Sequence, residues 1–193
     1  MLDNRFRKAK KVLTSNDPNY RQKLLQAITD ILQNLKADEK FFSVDDFGPF
    51  AIKIHGGRSL VKIGDIKSVP QFQISKGSLT VTAALEMSEN QVTHLYSKRK
   101  NTKEMLKLLD VLLEKYAGQS CIYFSWDAAS WHASKKLYER VDEINSVEYK
   151  SAHHTPIVRL APLPSSAQFL NAIESAFSGM SRALLSGCQE LNN

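Results

Sequence analysis

Cysteines, long apolar runs and targeting signals are scarce in this sequence. Only Cys121 and Cys188 are cysteines among 193 residues, too few for a disulfide framework or a cysteine-rich zinc site. No apolar run approaches the roughly 20 residues that span a bilayer. The N-terminus MLDNRFRKAKK lacks the apolar core of a secretory signal. These absences predict a protein of the reducing cytoplasm with no membrane partner.

The positive charge is concentrated near the N-terminus. Hydrophobic residues make up 42% and charged residues 24% of the chain, as in ordinary globular proteins, and the length suits one domain or one domain with an arm. The net charge is +6. Residues 1–23 hold seven basic and two acidic side chains, so the other 170 residues carry only +1. A basic arm on a nearly neutral body indicates either a polyanionic partner or a solvated tail.

Apolar periodicity predicts four helices and five strands. The predicted helices are NDPNYRQKLLQAITDILQNLKADEK, NTKEMLKLLDVLLEKYAG, SKKLYERVDEIN and SSAQFLNAIESAFSGMSRALLSG. The predicted strands are FFSVDDFG, SLTVTAALEM, QVTHLYS, CIYFSW and a short one at the beginning of PIVRLAPLP, which runs into a proline-rich loop. Three successive strands followed by alternating helix and strand predict an α/β fold, a ribonuclease-H-like mixed five-stranded sheet with helices on both faces.

Three acidic residues can meet in such a fold. Asp45 is predicted at the end of the first strand, Asp127 at the end of the fourth, and Glu174 on the last helix. Parallel strands that end at one edge bring the two aspartates together, and a helix across that edge adds Glu174. Asp127 considered by itself has a simpler interpretation, in which it caps the end of the strand and binds no metal.

A cluster of this kind requires a cation. Two carboxylates about 4 Å apart repel by about 4 kcal/mol at an effective dielectric constant near 20. Oxygen ligands with open positions suit Mg²⁺ or Mn²⁺. The chemistry that uses such a site is phosphodiester cleavage or strand transfer, in which one ion activates the attacking oxygen and a second stabilises the leaving oxygen.

Three segments carry a resemblance to a known family. They are FFSVDDFGPF, IYFSWDAASWHASKK and VRLAPLPSSAQFLNAIESAFSGMSR, which stand in the order of the family's three catalytic motifs. In these segments the sequence resembles the DDE transposases of the mariner type, especially their bacterial insertion-sequence relatives. The similarity covers roughly residues 40–187. It implies a metal-dependent DNA endonuclease and strand transferase that uses Mg²⁺ or Mn²⁺, with two ions, and that acts on transposon ends and target DNA.

The resemblance assigns roles to individual residues. It implies that Asp45, Asp127 and Glu174 form the metal-binding catalytic triad. Asp46 competes for the first position, but Asp45 is in phase with Phe41 and Ser43 along the strand. Asp46, the second-motif histidine His132 and Asn171 are expected to position other groups or the substrate, although ordinary packing explains His132 equally well. The residues expected to bind DNA are Arg5, Arg7, Lys8, Lys10, Lys11, Lys135 and Lys136.

Several features depart from the family pattern. Ala128 and Ala172 stand where the family often has asparagine and proline. The family's N-terminal helix-turn-helix region of about a hundred residues has no counterpart, so we expect a basic arm and linker helix over residues 1–38 and the catalytic domain over residues 39–193. Residues 49–77 occupy the place of the family's clamp loop, which implies dimer or DNA contacts, with a plain surface hairpin as the alternative.

The expected protein is therefore a transposase catalytic domain, cytoplasmic and nucleoid-associated in a bacterium. Its expected partners are DNA and, through a homodimer, a second copy, with no membrane and no small-molecule substrate. Two other interpretations stay open at this point. One is a structure-selective nuclease of the same fold, and the other is a truncated, inactive fragment that binds DNA or dimerises.

Overall fold

A computed structural model describes residues 16–54, 60–127, 134–165 and 167–186. Five strands form one sheet in the spatial order β3-β2-β1-β4-β5. The strands are β1 (Glu39–Ala51), β2 (Ser78–Glu86), β3 (Gln91–Ser97), β4 (Cys121–Trp126) and β5 (Ile157–Leu160). The helices are α1 (Tyr20–Lys23), α2 (Asp30–Gln33), α3 (Thr102–Lys115), α4 (Lys135–Asn145), α5 (Val147–His153) and α6 (Ile173–Ser186). Within the described ranges, no helix has the length and apolar character to cross a membrane.

The strand pairing confirms the predicted mixed sheet. β1 pairs antiparallel with β2 and parallel with β4. β2 pairs antiparallel with β3, and β4 pairs parallel with β5. Because β3, β1, β4 and β5 all run in one direction, their carboxyl-terminal ends lie at the same edge of the sheet. We call this side the carboxyl edge.

The first strand is longer than predicted, and the expectation that Asp45 and Asp46 end it is wrong. β1 continues to Ala51 because its antiparallel partner β2 pairs with it as far as Ser78. On its other side, the parallel pairing with β4 stops at Val44 and Trp126. Asp45 therefore follows the last parallel pair while still lying inside an antiparallel hairpin.

Helices cover both faces of the sheet. On one face, apolar residues of β1 and β4 pack against leucines of α3 and α4 in the largest core cluster, which includes Phe42, Val44, Phe124 and Trp126. On the opposite face, α6 packs on β2 through Ile173 and Phe177. The segment before β1 contacts that same face with Ile28, Ile31 and Leu35. The predicted arrangement of helices on two faces is thereby confirmed.

The helical segments differ from the prediction at two places. The N-terminal helix is α-helical only at its ends, because Leu24–Thr29 between α1 and α2 forms a π-helix. The last helix was predicted from Ser165 but begins at Ile173, after a 3₁₀ turn over Gln168–Leu170. Ser43 explains this start, since its hydroxyl accepts a hydrogen bond from the Ile173 amide at 3.1 Å, as a helix-capping side chain does.

Residues 52–77 form a long excursion from the β1–β2 hairpin, described except for 55–59. Its base is closed by backbone hydrogen bonds between Ile52 and both Lys76 and Gly77. Gln73 then bonds the backbone of Ile54 through both its amide oxygen and its amide nitrogen. Many of its apolar side chains are exposed, among them Leu60, Ile63, Ile66, Phe72 and Ile74. We call this segment the apolar excursion.

Candidate active site

Two neighbouring strands present a matching row of side chains to one face of the sheet. The parallel register pairs Phe41 with Tyr123, and Ser43 with Ser125. Alternate residues of a strand share a face, so Asp45 is the next member of the row on β1. The aromatic pair at the start of the row stacks with ring centroids 6.3 Å apart. The row thus leads from an aromatic contact to a buried carboxylate at the carboxyl edge.

Asp127 lies where the same row would continue on β4. It follows Trp126, the last residue of the strand, whose side chain is fully buried in the opposite face with Val44. Extending the register by one residue sets Asp127 opposite Asp45. Asp45 and Asp127, two of the three predicted catalytic residues, therefore each directly follow the last parallel pair of β1 and β4.

Asn171 joins the strand that carries Asp45 to the beginning of α6. Its side-chain nitrogen donates to Oδ2 of Asp45 and to the carbonyl oxygen of Val44, both at 3.3 Å. Its amide oxygen accepts from the Ser43 hydroxyl at 2.5 Å. The Asp46 amide donates to Oδ1 of Asp45 at 2.7 Å. Donors of this kind stabilise the ionised carboxylate, which is the form that binds a cation.

Asp46 points to the other face of the sheet. It is buried, and its Oδ1 accepts from the Thr82 hydroxyl at 2.5 Å. Thr82 is its direct partner on β2 and shares a face with Ala84, two residues further along the strand. Of the two neighbouring aspartates, Asp45 is the one that shares a face with α6.

Glu174 is the second residue of α6 and is exposed. The Glu174 amide donates to the carbonyl oxygen of Asn171 at 3.1 Å. Asn171 is the residue whose side chain contacts Asp45. In the described ranges, no three His, Cys, Asp or Glu side chains lie close enough to hold a metal ion. The carboxylate oxygens of Asp45 and Asp127 are nevertheless donors that suit Mg²⁺ or Mn²⁺.

Several predicted site residues fall outside the described residues. They are His132 and the arm residues Arg5, Arg7, Lys8, Lys10 and Lys11. Lys135 and Lys136 are described and exposed in the first turn of α4. This turn follows β4 and so lies at the carboxyl edge.

Comparisons with known proteins detect only structural similarity. No protein-family model and no curated protein sequence matches the chain. The crystal structure of the catalytic domain of Mos1 mariner transposase matches with a TM-score of 0.56 at 12% identity, covering 86% of this chain and 70% of that one. The Mos1 transposase paired-end complex with left transposon end matches with a TM-score of 0.55 at 12% identity, over 95% of this chain and 54% of that one. The Mos1 mariner paired-end complex with Mn matches with a TM-score of 0.51 at 12% identity, over 95% and 54%.

The fold is that of the mariner transposase catalytic domain. This similarity confirms the predicted ribonuclease-H-like architecture, and the fold is that of the family that the sequence resembles. The chain spans about half the length of the Mos1 chains in the paired-end complexes.

Within this mariner-type fold, sequence reasoning missed three residues that hold the site in place. Ser43 connects Asn171 to the start of α6. Thr82 binds Asp46 on the opposite face. Lys100 donates from Nζ to the Asp46 carbonyl oxygen at 2.7 Å, which ties the loop before α3 to β1. The sequence contained a signal for Ser43, because it is a polar residue in phase with Asp45 on the same strand. It contained none for Thr82 and Lys100, because they lie on β2 and in the loop before α3.

Proposed function

We propose that this chain is the catalytic domain of a mariner-type transposase that cleaves and joins DNA strands with divalent metal ions. The observation that carries the proposal is the hydrogen bond from Asn171 to Asp45. It joins the strand of the first catalytic motif to the helix of the third motif at the edge where Asp127 follows β4. All three motifs therefore contribute to one edge of the sheet.

Each acidic residue has a role in the proposal. Asp45 and Asp127 hold Mg²⁺ or Mn²⁺, and Glu174 completes the ligand set from the first turn of α6. The ions, two in number, supply Lewis acidity that lowers the pKa of the attacking hydroxyl and neutralises charge on the phosphate. Asn171 orients the Asp45 carboxylate through its hydrogen bond to Oδ2, while His132 positions neighbouring groups or the DNA. One similar structure is a mariner complex with Mn, which supports the choice of metal.

The proposed substrate is DNA. Arg5, Arg7, Lys8, Lys10 and Lys11 in the N-terminal arm, with Lys135 and Lys136 on α4, contact phosphates. These contacts are independent of base sequence, and binding weakens steeply as salt is raised. We propose also that two copies of the chain form a homodimer through the exposed side chains of the apolar excursion. The proposed place of action is a bacterial nucleoid.

Mn²⁺ titration by electron paramagnetic resonance tests the metal site directly. Wild type should take up Mn²⁺ in the millimolar range or tighter, and Asp45→Asn and Asp127→Asn should each weaken uptake at least about tenfold through loss of a charged ligand. Asp46→Asn is the matched control, because the amide oxygen can still accept from Thr82 on the other face. Equal uptake by wild type and Asp127→Asn would place the metal elsewhere and contradict the proposal.

A second candidate function is an inactive fragment that binds DNA. It is favoured by the absence, among the described residues, of three metal-ligating side chains in one cluster. Nicking of supercoiled plasmid in Mn²⁺ separates the two candidates. Nicking by wild type that disappears in Asp45→Asn supports the enzyme, whereas DNA binding without nicking supports the fragment. Cleavage without joining of a transposon end would indicate a structure-selective nuclease of the same fold.

A further inference from the structure

The two edges of the sheet differ in how they are protected against pairing with another chain. β5 forms one edge with only four residues, which include Arg159, and Pro162 and Pro164 follow soon after it. Short length, charge and proline are devices that keep a sheet edge from pairing. β3 forms the other edge with seven residues, QVTHLYS, which include no proline and no Asp, Glu, Lys or Arg. The β3 edge therefore lacks these devices.

Alternate residues of β3 carry backbone groups that point away from the sheet. Met87, which directly follows β2, donates its amide to the carbonyl oxygen of Phe41, so the odd-numbered residues of β2 bond to β1. The even-numbered residues of β2 therefore bond to the odd-numbered residues of β3 with which they pair. The amide and carbonyl groups of Val92, His94 and Tyr96 are left at the outer edge. Among the described residues, no backbone group of a loop or helix bonds to them.

The side chains of Val92, His94 and Tyr96 share one face of β3 and are exposed. Those of Val92 and Tyr96 are 44% and 66% exposed, and the rings of His94 and Tyr96 lie 5.1 Å apart. Tyr96 and Met180 of α6 both line an apolar cavity of about 390 Å³ on this face. The edge thus combines unpaired backbone groups with apolar side chains that an added strand would cover.

A second copy of β3 matches this edge. In antiparallel pairing about a two-fold axis at His94, Val92 of each copy lies opposite Tyr96 of the other, and the two His94 residues lie opposite each other. All three outward-pointing residues of each strand then exchange backbone hydrogen bonds, as the bonded pairs of an antiparallel ladder do. The pair of Val92 with Tyr96 occurs twice, and pairs of a β-branched with an aromatic side chain stabilise sheets.

The charges beside β3 favour the antiparallel orientation. Glu89 precedes the strand and is 61% exposed although it pairs with Lys40, whereas Lys98 and Arg99 follow the strand and are exposed. Antiparallel pairing brings the acidic end of each strand to the basic end of the other, whereas parallel pairing would bring the two basic ends together. Exposed ion pairs add little stability, but the juxtaposition of like charges selects against wrong arrangements.

We propose that two copies of this chain pair through their β3 strands in an antiparallel register centred on His94, which joins two five-stranded sheets into one of ten strands. The proposal goes beyond the proposed function, because it requires neither a metal ion nor DNA, and it uses a surface other than the apolar excursion. The two-fold axis is perpendicular to the sheet. Both α6 helices therefore lie on one side of it, and the two carboxyl edges point in opposite directions.

Charged substitutions at His94 test the register. Because His94 is exposed, His94→Lys and His94→Glu should keep the melting temperature of wild type. Like charges directly opposite each other destabilise a strand pair, so each variant alone should associate at least about tenfold more weakly than wild type in sedimentation velocity. An equimolar mixture of the two should form heterodimers, because the introduced lysine and glutamate then face each other. His94→Gln is the uncharged control and should associate as wild type does.

Amide hydrogen exchange tests the backbone pairing. The amides of Val92, His94 and Tyr96 should be protected at protein concentrations at which the dimer forms and should exchange rapidly after dilution. The amides of Thr93 and Leu95, which point toward β2 in the same strand, are the control and should be protected at both concentrations. Rapid exchange of the outward amides at every concentration would contradict the pairing.

Three outcomes of the association measurements would overturn the proposal. They are a wild type that is monomeric at every concentration, unchanged association of both charged variants, and a mixture that associates no better than either variant alone. Mn²⁺ uptake by wild type and Asp127→Asn bears on the proposed function and not on this pairing, so the two can fail separately.

A variant that combines Leu60→Ser, Ile63→Ser and Ile66→Ser separates the β3 edge from the apolar excursion. If this variant is monomeric while the charged His94 variants associate as wild type does, the excursion is the contact and the β3 proposal fails. The reverse result supports pairing through β3 and removes the contact by the excursion. Weaker association of both sets of variants supports β3 pairing in a dimer that also uses the excursion.

Discussion

The side-chain nitrogen of Asn171 lies 3.3 Å from Oδ2 of Asp45 and joins the start of α6 to the middle of β1. The two residues are 126 positions apart in the chain, yet both are buried at the same place on the sheet. The Ser43 hydroxyl links β1 to the same segment, since it donates to the Asn171 amide oxygen and accepts from the Ile173 amide. The orientation of Asp45 therefore depends on where α6 begins.

Replacement of Asn171 by alanine should weaken both the fold and the metal site. The substitution leaves the Ser43 hydroxyl and the Val44 carbonyl group without a partner that they have in wild type. Loss of such buried hydrogen bonds costs about 1–3 kcal/mol of unfolding free energy, measured by urea denaturation. Mn²⁺ affinity should also fall, because Asp45 loses the donor that orients it.

Asn145→Ala provides the control for this variant. Asn145 bonds both the amide and the carbonyl group of Val158 at 2.9 and 2.8 Å, in a part of the sheet away from β1. It should cost a similar unfolding free energy while leaving Mn²⁺ affinity unchanged. If both variants bound Mn²⁺ as wild type does, Asn171 would have only a structural role.

The sequence was sufficient to predict what local patterns determine. Alternation along FFSVDD placed Asp45 rather than Asp46 on the face of Phe41 and Ser43, and the structure has this arrangement. The uninterrupted apolar run of β4 predicted a buried parallel strand, as observed for Cys121–Trp126. Such features depend only on residues near one another in the chain.

Features that depend on distant partners could not be predicted. β1 extends beyond Asp46 because β2, more than thirty residues later, supplies its pairing. α6 begins at Ile173 because a serine on β1 binds its amide. α5 lies in the segment after α4 that the sequence left without an element. For β1 and α6, a contact with another part of the chain overrides the local preference. α5 instead begins with a local cap, because the Ser146 hydroxyl accepts from the Tyr149 amide.

Polar substitution in the apolar excursion should reduce self-association without loss of stability. The side chains of Leu60, Ile63 and Ile66 are 104%, 107% and 91% exposed, so they contribute no burial within one chain. Exposed apolar groups on this scale are typical of interaction surfaces. Changing all three to serine should keep the melting temperature and shift sedimentation velocity profiles toward monomer. Unchanged sedimentation, or a wild type that is monomeric at every concentration, would argue against a dimer through this segment.

Cys121 should be unreactive in the folded protein. Its side chain is buried in β4, and burial raises the pKa of its thiol, so less of the reactive thiolate is present. In a Cys188→Ser variant, which leaves Cys121 as the sole thiol, modification by a disulfide reagent at pH 8 should be at least about a hundredfold slower than in urea, because it requires opening of the fold. A native rate equal to that in urea would show that β4 is accessible.

The pairing of Lys40 should make the fold sensitive to alkaline pH. Nζ of Lys40 donates to the Glu89 carboxylate at 2.6 Å, and this hydrogen bond raises the pKa of Lys40 above its usual value of 10.5, with burial opposing it and Glu86 adding to it. A cation whose pKa is raised on folding contributes stability that is complete below the unfolded pKa and is lost as the pH rises through the folded pKa.

The unfolding free energy of wild type should therefore fall more between pH 9 and pH 12 than that of Lys40→Met, by no more than about 1 kcal/mol because Glu89 is mostly in water. Urea denaturation at several pH values measures the difference. Lys107→Met, which removes an exposed pair with Glu104, should keep the pH dependence of wild type. If Lys40→Met and wild type lost stability in parallel over this range, the alkaline transition would belong to other groups. Tyr123 is one such group, since burial raises the pKa of its hydroxyl.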